Sequence, residues 1–190
     1  MFVESAVRPI AINTRQPRFS WHVPLAGRGR RQTAYRLLVA TETAKLTSGE
    51  ADLWDSGRVE SSQSVQVAYE GQPLPSNIDC YWTVQLWDEN GEQVETAKIE
   101  RFGTPLFDES DWQAEWIGMG DPNEPFPDPD VYQHDCVPPE VEAFEHDPRA
   151  PMMCRDFKLN QPVKRARAYV AGMGLHILRL NGQKVSDHEL

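Results

Sequence analysis

The strongest constraint on the fold is the stretch YWTVQLWDENG, residues 81–91. Trp82, Val84 and Leu86 alternate with more polar neighbours, which is the period-two pattern of a strand with one buried face. The sequence Glu89-Asn90-Gly91 then favours a chain reversal. A returning strand is predicted through three apolar positions, Ala97, Ile99 and Phe102. The stretch therefore predicts an antiparallel strand pair that buries one face.

Shorter runs before this pair show the same alternation. Residues 17–23, PRFSWHV, predict the first strand, and residues 64–69, SVQVAY, predict another in which Val65 and Val67 share a face. Between them, residues 33–41 are rich in β-branched and aromatic side chains and predict a longer strand. Leu38 lies on the wetter face of that strand, so we expect another part of the chain to cover it.

The region between these strands is predicted to be a connecting loop with one aromatic anchor. Ser48-Gly49 interrupts any helix that residues 43–46 could begin, so ETAKLTSGEADL is interpreted as loop. Trp54 is predicted to cap the core at the end of a short strand. The turn that follows it, Asp55-Ser56-Gly57, leads the chain toward the next strand.

These elements amount to about six or seven short strands in about 100 residues, the pattern of a small antiparallel sandwich. The 15 prolines and 12 glycines are spread along the chain as turns require. We therefore predict an all-β chain whose residues 1–106 form a fibronectin type III or immunoglobulin-like sandwich. The disulfide typical of true immunoglobulin domains is not predicted.

A second, incomplete domain is predicted after this sandwich. Residues 107–118 are interpreted as a linker and the first strand of that domain, with the strand at Trp116 and Ile117. Residues 119–151 are rich in proline and acidic side chains and predict a long surface loop. Residues 152–190 predict three strands and a stub, with a hairpin turn at Asn181-Gly182, and so few strands do not close a sheet.

Charge and cysteine usage exclude several function classes. The formal net charge of −10 disfavours binding to a phosphate backbone or an anionic lipid surface. The three cysteines are irregularly spaced, which favours free thiols over a disulfide framework. The amino terminus lacks the pattern of a secretory signal, and no apolar run is long enough for a spanning helix. We expect a cytoplasmic chain without nucleic-acid or membrane partners.

The sequence offers no catalytic or cofactor-binding motif. A cluster of metal-ligand types, His134, Asp135, Cys136, His146 and Asp147, lies in the acidic loop, where a rigid four-ligand frame is not expected. The many carboxylates fall at turns, where aspartate is common for capping reasons. We therefore predict no catalytic residue, no metal site and no cofactor within these 190 residues.

Two tryptophans are the candidates for an interaction site. Trp87 lies on the face of its strand opposite Trp82 and next to an acidic turn, and Trp112 lies in the predicted linker. Exposed indole rings stack on sugars and line interfaces between domains. Trp87 and Trp112 are therefore candidate sugar or interdomain contacts, although a purely structural role is the commoner outcome for such residues.

The ordered series of stretches resembles the amino-terminal region of bacterial α-L-rhamnosidases. The stretches are INTRQPRFSW, RQTAYRLLVA, ADLWDSGRVESSQS, YWTVQLWDENG, DWQAEWIG and VKRARAYVAGMGLHILRLNGQKVSDHEL. The resemblance covers nearly all of the chain. Two features depart from the family pattern: the loop 119–151 is longer and more acidic, and His176 stands where an aromatic residue is expected.

The resemblance implies a fibronectin-like first domain and the start of a jelly-roll-like β-sandwich. In that family, acidic residues of an (α/α)₆ barrel remove terminal α-L-rhamnose from glycosides and polysaccharides with inversion. The barrel lies downstream of everything matched here, so no catalytic residue is assigned to this chain, and that barrel and rhamnosides are the expected partners. Two interpretations remain: the non-catalytic front of a rhamnosidase, or a free-standing module that binds carbohydrate or protein.

Overall fold

The elements of the first unit are short strands with one covering helix. The computed structural model describes residues 1–25, 27–94, 98–117, 153–163, 165–172 and 176–185, which fall into two units, Met1–Ile117 and Gly118–Leu190. In chain order the first unit contains β1 (Phe2–Val3), β2 (Arg18–Ser20), β3 (Gln32–Ala40), α1 (Thr43–Ser48), β4 (Trp54–Asp55), β5 (Val67–Ala68), β6 (Asp79–Asp88), β7 (Gln93–Val94) and β8 (Glu100–Gly103).

These strands form two antiparallel sheets. The first sheet has the order β1-β2-β5, and the second has the order β4-β3-β6-β7, with β8 also paired to β6. The long pair β3–β6 places Leu37 opposite Val84 and Val39 opposite Trp82. Burial alternates residue by residue along β6, as the sequence predicts. The predicted pairing of this strand with a returning strand is confirmed by β8, which places Phe102 opposite Cys80 of β6, whereas Ile99 lies before β8 and Ala97 lies outside the described residues.

The two sheets enclose an aromatic core. The Phe19 ring of β2 lies 4.7 Å from the Trp82 ring of β6 and 5.8 Å from the Phe102 ring of β8, measured between centroids. All three side chains are fully buried. Cys80 belongs to the same cluster and forms no disulfide. Because tilted and edge-to-face ring pairs add about 0.5–1.5 kcal/mol each beyond area burial, Phe19 couples the sheets strongly.

A helix covers part of the outer face of the second sheet. The residues predicted as loop contain α1, and the prediction is wrong at this point because Leu46 buries itself against Leu38 and Ala40. Gly49 ends the helix in the left-handed conformation, at φ 78°. The helix supplies the cover that Leu38 was expected to need.

The predicted role of Trp54 as a core cap is confirmed. Its ring packs edge-on against Tyr69 at a centroid distance of 5.2 Å, and β4 pairs Trp54 with Val39. The following turn is closed by the Gly57 N–H, which donates to the Asp55 carboxylate at 2.9 Å, and Gly57 has φ 62°.

Two strand predictions need correction. The first strand is β1, not the predicted 17–23 segment, because Val3 buries itself completely and pairs opposite Phe19. Val65 does not share a face with Val67: it is 62% exposed, whereas Val67 is buried. Gln66 between them has φ 55°, which breaks the alternation of an extended strand.

The predicted strand at Trp116 and Ile117 is not found. Residues 107–117 instead contain a 3₁₀ turn, Glu109–Asp111, followed by chain outside any strand. Residues 119–151 lie outside the described residues, so the predicted acidic loop is not described. The domain boundary near residue 106 remains a prediction.

The second unit contains one strand pair within its described residues. β9 (Arg179–Leu180) and β10 (Gln183–Lys184) form a hairpin whose turn residues Asn181 and Gly182 have φ 49° and 79°. The predicted hairpin turn is thus present. Residues 153–163 and 165–172 are described outside strands, contrary to the predicted strands there, and a jelly-roll-like second domain remains a prediction. Among the described residues, no helix is both long and apolar enough to span a bilayer.

Gly71 holds Tyr69 in place, which leads to a first prediction. A Cβ atom at Gly71 would lie 2.6 Å from the Tyr69 ring and 2.7 Å from the Leu53 carbonyl oxygen. We expect Gly71→Ala to lower the free energy of unfolding by about 1–3 kcal/mol, the usual cost of overpacking. Urea unfolding measures this loss. Gly29→Ala meets no atom within 4 Å but places alanine at φ 82°, so it measures backbone strain without a clash. An unchanged free energy of unfolding in Gly71→Ala would contradict the steric explanation.

Asp52 stabilises the loop after α1 through side-chain hydrogen bonds, which leads to a second prediction. Burial alone would raise the pKa of Asp52, but hydrogen bonds from Lys45 at 2.6 Å and from Thr41 outweigh it and lower the pKa to about 2. A carboxyl group with a lowered pKa in the folded state stabilises the fold above its unfolded-state pKa and loses that contribution as the pH falls.

We therefore expect Asp52→Asn to destabilise the chain near neutral pH, and the difference from the wild type to shrink as the pH falls from about 4 to about 2. Urea unfolding at a series of pH values measures the difference. Glu50→Gln removes a nearby carboxylate and leaves the Lys45–Asp52 pair intact. A difference for Asp52→Asn that stays constant between pH 6 and pH 2 would show that the ion pair is not the cause.

Candidate interaction surface

The turn carboxylates of the described residues are engaged in holding the fold. Asp88, at the end of β6, accepts hydrogen bonds from the backbone N–H groups of Asn90 and Glu92 and pairs with Arg30 at 2.7 Å. Asp52 is bound to Lys45, and Asp55 to Arg36. Each of these groups fixes a turn or a strand end, which is the role that the sequence predicts for them.

The outer face of the second sheet carries the first candidate, Trp87. Trp87 lies opposite Ala34 of β3, and Ala34 is fully buried although it lies on the same outer face. The Arg58 guanidinium lies over the indole, 4.8 Å from the ring centroid. Trp87 itself is half-buried. The indole therefore packs on the sheet and still presents part of its surface to solvent.

Arg58 reaches Trp87 because the chain after β4 continues along β3. Tyr35 and Val59 exchange two backbone hydrogen bonds, of 3.0 and 2.8 Å, and hold this segment beside the sheet. A guanidinium over an indole ring is attracted by the ring quadrupole and shares its planar shape. The segment beside β3 thus places the Arg58 guanidinium over Trp87, a contact that the sequence did not predict.

Polar side chains extend the surface beside Trp87. The Arg36 guanidinium donates two hydrogen bonds to the Asp55 carboxylate, at 2.9 and 2.6 Å. These hydrogen bonds from Arg36 hold the pKa of Asp55 below its usual range. Gln85 lies opposite Arg36 on the neighbouring strand and is half-buried. We call Trp87, Arg58, Arg36, Asp55 and Gln85 the outer-face strip.

The second candidate, Trp112, lies elsewhere in the unit. It follows the 3₁₀ turn after β8, and its backbone N–H donates to the Glu109 carbonyl at 3.1 Å. Its side chain is 41% exposed. Trp87 therefore belongs to the rigid sheet, whereas Trp112 belongs to the segment that follows the last strand of the sandwich.

The sequence alone predicts which strand face carries Trp87 and Gln85, but not that Arg58 and the Arg36–Asp55 pair join them. Trp87 and Gln85 could be assigned to one face because the alternation along β6 is regular. Arg58 gave no such signal, since it follows a turn and its position depends on the pairing of Val59 with Tyr35. The bidentate Arg36–Asp55 pair needed the register of β3 and β4.

The described residues contain no group of three or more His, Cys, Asp or Glu side chains arranged to hold a metal ion. The histidines and acids that the sequence clusters between residues 134 and 147 lie outside the described residues.

Two antiparallel sheets around a shared aromatic core define an immunoglobulin-like β-sandwich, as the sequence predicts. Residues 1–108 match the family described as the Rha78A-like, N-terminal immunoglobulin domain, and the chain belongs to this family. The predicted resemblance to the amino-terminal region of α-L-rhamnosidases is thereby confirmed.

Relatives and solved structures agree with this assignment. An α-L-rhamnosidase of Formosa agariphila is 35% identical over 187 residues, which cover 96% of this chain and 19% of the relative. The crystal structure of Streptomyces avermitilis α-L-rhamnosidase complexed with L-rhamnose is similar with a TM-score of 0.57 and 40% identity, over 61% of this chain and 11% of that one. The α-L-rhamnosidase structure from Dictyoglumus thermophilum has a TM-score of 0.58 and 30% identity, over 62% and 13%.

The chain spans a small part of the length of these relatives. This chain spans 19% of the length of the Formosa relative and 18% of a second α-L-rhamnosidase from the same organism. It corresponds to their amino-terminal region.

Proposed function

We propose that this chain is the non-catalytic amino-terminal part of an α-L-rhamnosidase-like glycoside hydrolase. The observation that carries the proposal is the family match over residues 1–108, together with relatives that are α-L-rhamnosidases several times longer. The parent activity is the inverting hydrolysis of terminal α-L-rhamnose from glycosides and polysaccharides. The catalytic (α/α)₆ barrel belongs to another part of the polypeptide.

The chemistry of inversion supports a separate catalytic part. An inverting glycosidase needs a general acid and a general base on opposite sides of the scissile bond, with room for a water molecule between them. The general acid must stay protonated at working pH, which requires a raised pKa. Asp52 and Asp55 have lowered pKa values because of their basic partners, so these carboxylates are suited to binding cations within the fold.

The expected contribution of the unit is structural. Its described core residues lie between Val3 and Phe102, and Asp55 and Asp52 are paired with Arg36 and Lys45 of the same unit. A sandwich of this kind gives a multidomain enzyme a rigid body against which other parts pack. We also propose that the chain is cytoplasmic. Fractionation of source cells followed by an immunoblot would test this localisation.

The proposal makes a direct prediction about the purified chain. We expect no release of L-rhamnose from an aryl α-L-rhamnoside above a mock purification from host cells without the chain. An antibody against residues 32–102 should detect, in source cells, a band several-fold above 21.6 kDa. Rhamnose release that rises in proportion to the purified chain, or a native band at 21.6 kDa only, would overturn the proposal.

A second candidate function is carbohydrate binding by the sandwich itself. The observation that favours it is the outer-face strip, in which the partly exposed indole of Trp87 lies beside a bidentate Arg36–Asp55 pair and Gln85. Sugars are bound by stacking on aromatic rings together with hydrogen bonds from planar polar side chains. Such binding depends on the residues at the site and not on the fold that carries them.

For this candidate we expect L-rhamnose or rhamnosyl oligosaccharides to change the tryptophan fluorescence of the chain in a saturable manner. Trp87→Phe removes the reporting indole and reduces the stacking surface, so its binding is measured by calorimetry and should be weaker than that of the wild type, whereas Trp112→Phe should retain the fluorescence change. Titration with sucrose controls for viscosity and refractive effects. A flat titration up to tens of millimolar, or loss of the response only in Trp112→Phe, would exclude the strip as the sugar site.

A further inference from the structure

The chain that follows β8 is hydrogen-bonded to the loop before β6, and we call residues 104–112 the exit segment. The Thr104 N–H donates to the Ile78 carbonyl, and the Thr104 hydroxyl accepts from the Ile78 N–H, both at 2.9 Å. The Asn77 N–H donates to the Pro105 carbonyl at 2.8 Å. The exit segment therefore stays beside the residues that precede β6 after the pairing of β6 with β8 has ended.

Ser76 and a short turn hold the next residues of the exit segment. The Phe107 N–H donates to the Ser76 hydroxyl at 3.2 Å, and a hydrogen bond from that hydroxyl lowers the pKa of Asp111. The Asp108 N–H donates to the Asp111 carboxylate at 3.1 Å, and the Asp111 N–H donates to the Asp108 carbonyl at 3.0 Å. The 3₁₀ turn is thus closed on itself and bound to the loop before β6.

The Arg15 side chain, from the connection between β1 and β2, joins this loop to the exit segment. Its guanidinium donates to the Leu74 carbonyl at 2.8 Å and to the Asp108 carboxylate at 2.5 Å. The guanidinium carbon lies 4.5 Å from the centroid of the Phe107 ring. The Leu74 N–H in turn donates to the Arg15 carbonyl at 3.1 Å, which holds the backbone of Arg15 beside the same loop.

These contacts differ from those of two other arginines in the unit. Arg36 and Arg58 contact Asp55 and Trp87, which lie on β4 and β6 of the sandwich. Arg15 instead binds residues that come after the last strand of the sandwich. A connection between domains is usually exposed and makes few contacts, and the sequence predicts a linker at this point. The contacts of Arg15 are therefore a specific feature of this connection.

We propose that Arg15 is a positioning residue that fastens the exit segment to the sandwich, so that the rigid body of this unit extends to Trp112 and not only to the end of β8. A guanidinium suits this role because it donates from several N–H groups in one plane and stacks on a ring at the same time. Identifying the polypeptide that follows as the catalytic part of a rhamnosidase rests on the proposed function. A connection with fewer free residues samples fewer arrangements and holds the next domain at a higher effective concentration.

Hydrogen exchange of the 190-residue chain, followed by mass spectrometry, tests this role of Arg15. Arg15→Ala removes the ion pair with Asp108 and the contact with the Phe107 ring. We expect the backbone amides of the exit segment to exchange about 5- to 25-fold faster in this variant, since each contact contributes modestly at a partly exposed position. The amides of β3 and β6 should exchange at the wild-type rate. Unchanged exchange in the exit segment, or the same acceleration in β3 and β6, would overturn the proposal.

Two further variants show which contacts matter. Arg58→Ala removes the guanidinium over Trp87 and should leave the exchange of the exit segment unchanged. Arg15→Lys keeps a positive charge beside Asp108 but lacks the planar group that stacks on Phe107. We expect the exchange rate of the exit segment in Arg15→Lys to lie between those of the wild type and Arg15→Ala. An effect of Arg58→Ala as large as that of Arg15→Ala would show that the contacts of Arg15 are not the cause.

Cleavage by thermolysin, which cuts before large apolar residues, gives a second measurement. Leu106 and Phe107 lie in the exit segment, whereas Ile117 lies beyond it and is 74% exposed. Because cleavage follows the population of the opened chain, we expect cleavage before Ile117 in the wild type and additional cleavage before Leu106 or Phe107 in Arg15→Ala. Wild-type cleavage before Leu106 or Phe107 that is as fast as cleavage before Ile117 would contradict a fastened exit segment.

These outcomes are separate from those of the proposed function. If the exit segment is not fastened but the native-length polypeptide is several-fold larger than 21.6 kDa, the inference about Arg15 is wrong and the proposed function stands. A native band at 21.6 kDa only, with exchange and cleavage as expected, would overturn the proposed function and support the role of Arg15 in the sandwich.

Discussion

The pairing of β3 with β6 is the interaction on which the rest of the sandwich depends. It is the longest pairing among the described strands, running from Gln32 opposite Asp88 to Ala40 opposite Tyr81. Because side chains alternate across a strand, this single register decides which residues face the other sheet and which face outward. A shift by one residue would move Trp82, Val84 and Leu86 from the core to the surface. On the second sheet, Phe19 packs against the inner face, and α1 and the outer-face strip lie on the outer face.

The sequence predicted best those elements whose burial is decided by alternation over many residues. The two faces of β6 were predicted correctly because seven successive positions agree with one period. Short elements carry no such redundancy. β1 has two residues, and its place depends on Val3 meeting Phe19 across 16 residues of chain. The helix α1 was missed for the same reason: one buried residue, Leu46, positions it, and its partners lie on a strand.

Predictions also failed where the backbone conformation departs from the regular pattern. Val65 and Val67 are two residues apart, which in an extended strand places them on one face, but the positive φ of Gln66 turns Val65 outward. At the candidate site, Trp87 and Gln85 could be assigned to one face from the sequence, whereas the contacts made by Arg58 and Asp55 could not. Arg58 meets Trp87 only through the Val59–Tyr35 bridge, and Arg36 meets Asp55 only through the register of β3 with β4. Tertiary pairing, rather than local sequence, brings these side chains together.

The pairing of carboxylates with basic side chains of the same unit agrees with a non-catalytic role for the sandwich. Arg36, Lys45 and Arg30 each neutralise a carboxylate of the sandwich itself, so these acids stabilise turns and strand ends at neutral pH. A carboxylate that must change protonation during a reaction is poorly suited to such a position, since every loss of charge would weaken the fold. Catalysis by acid and base groups is therefore better separated from this body. A buried aromatic core whose neighbouring acids are paired with cations of the same unit is the physical combination expected of a non-catalytic domain that supports chemistry performed elsewhere.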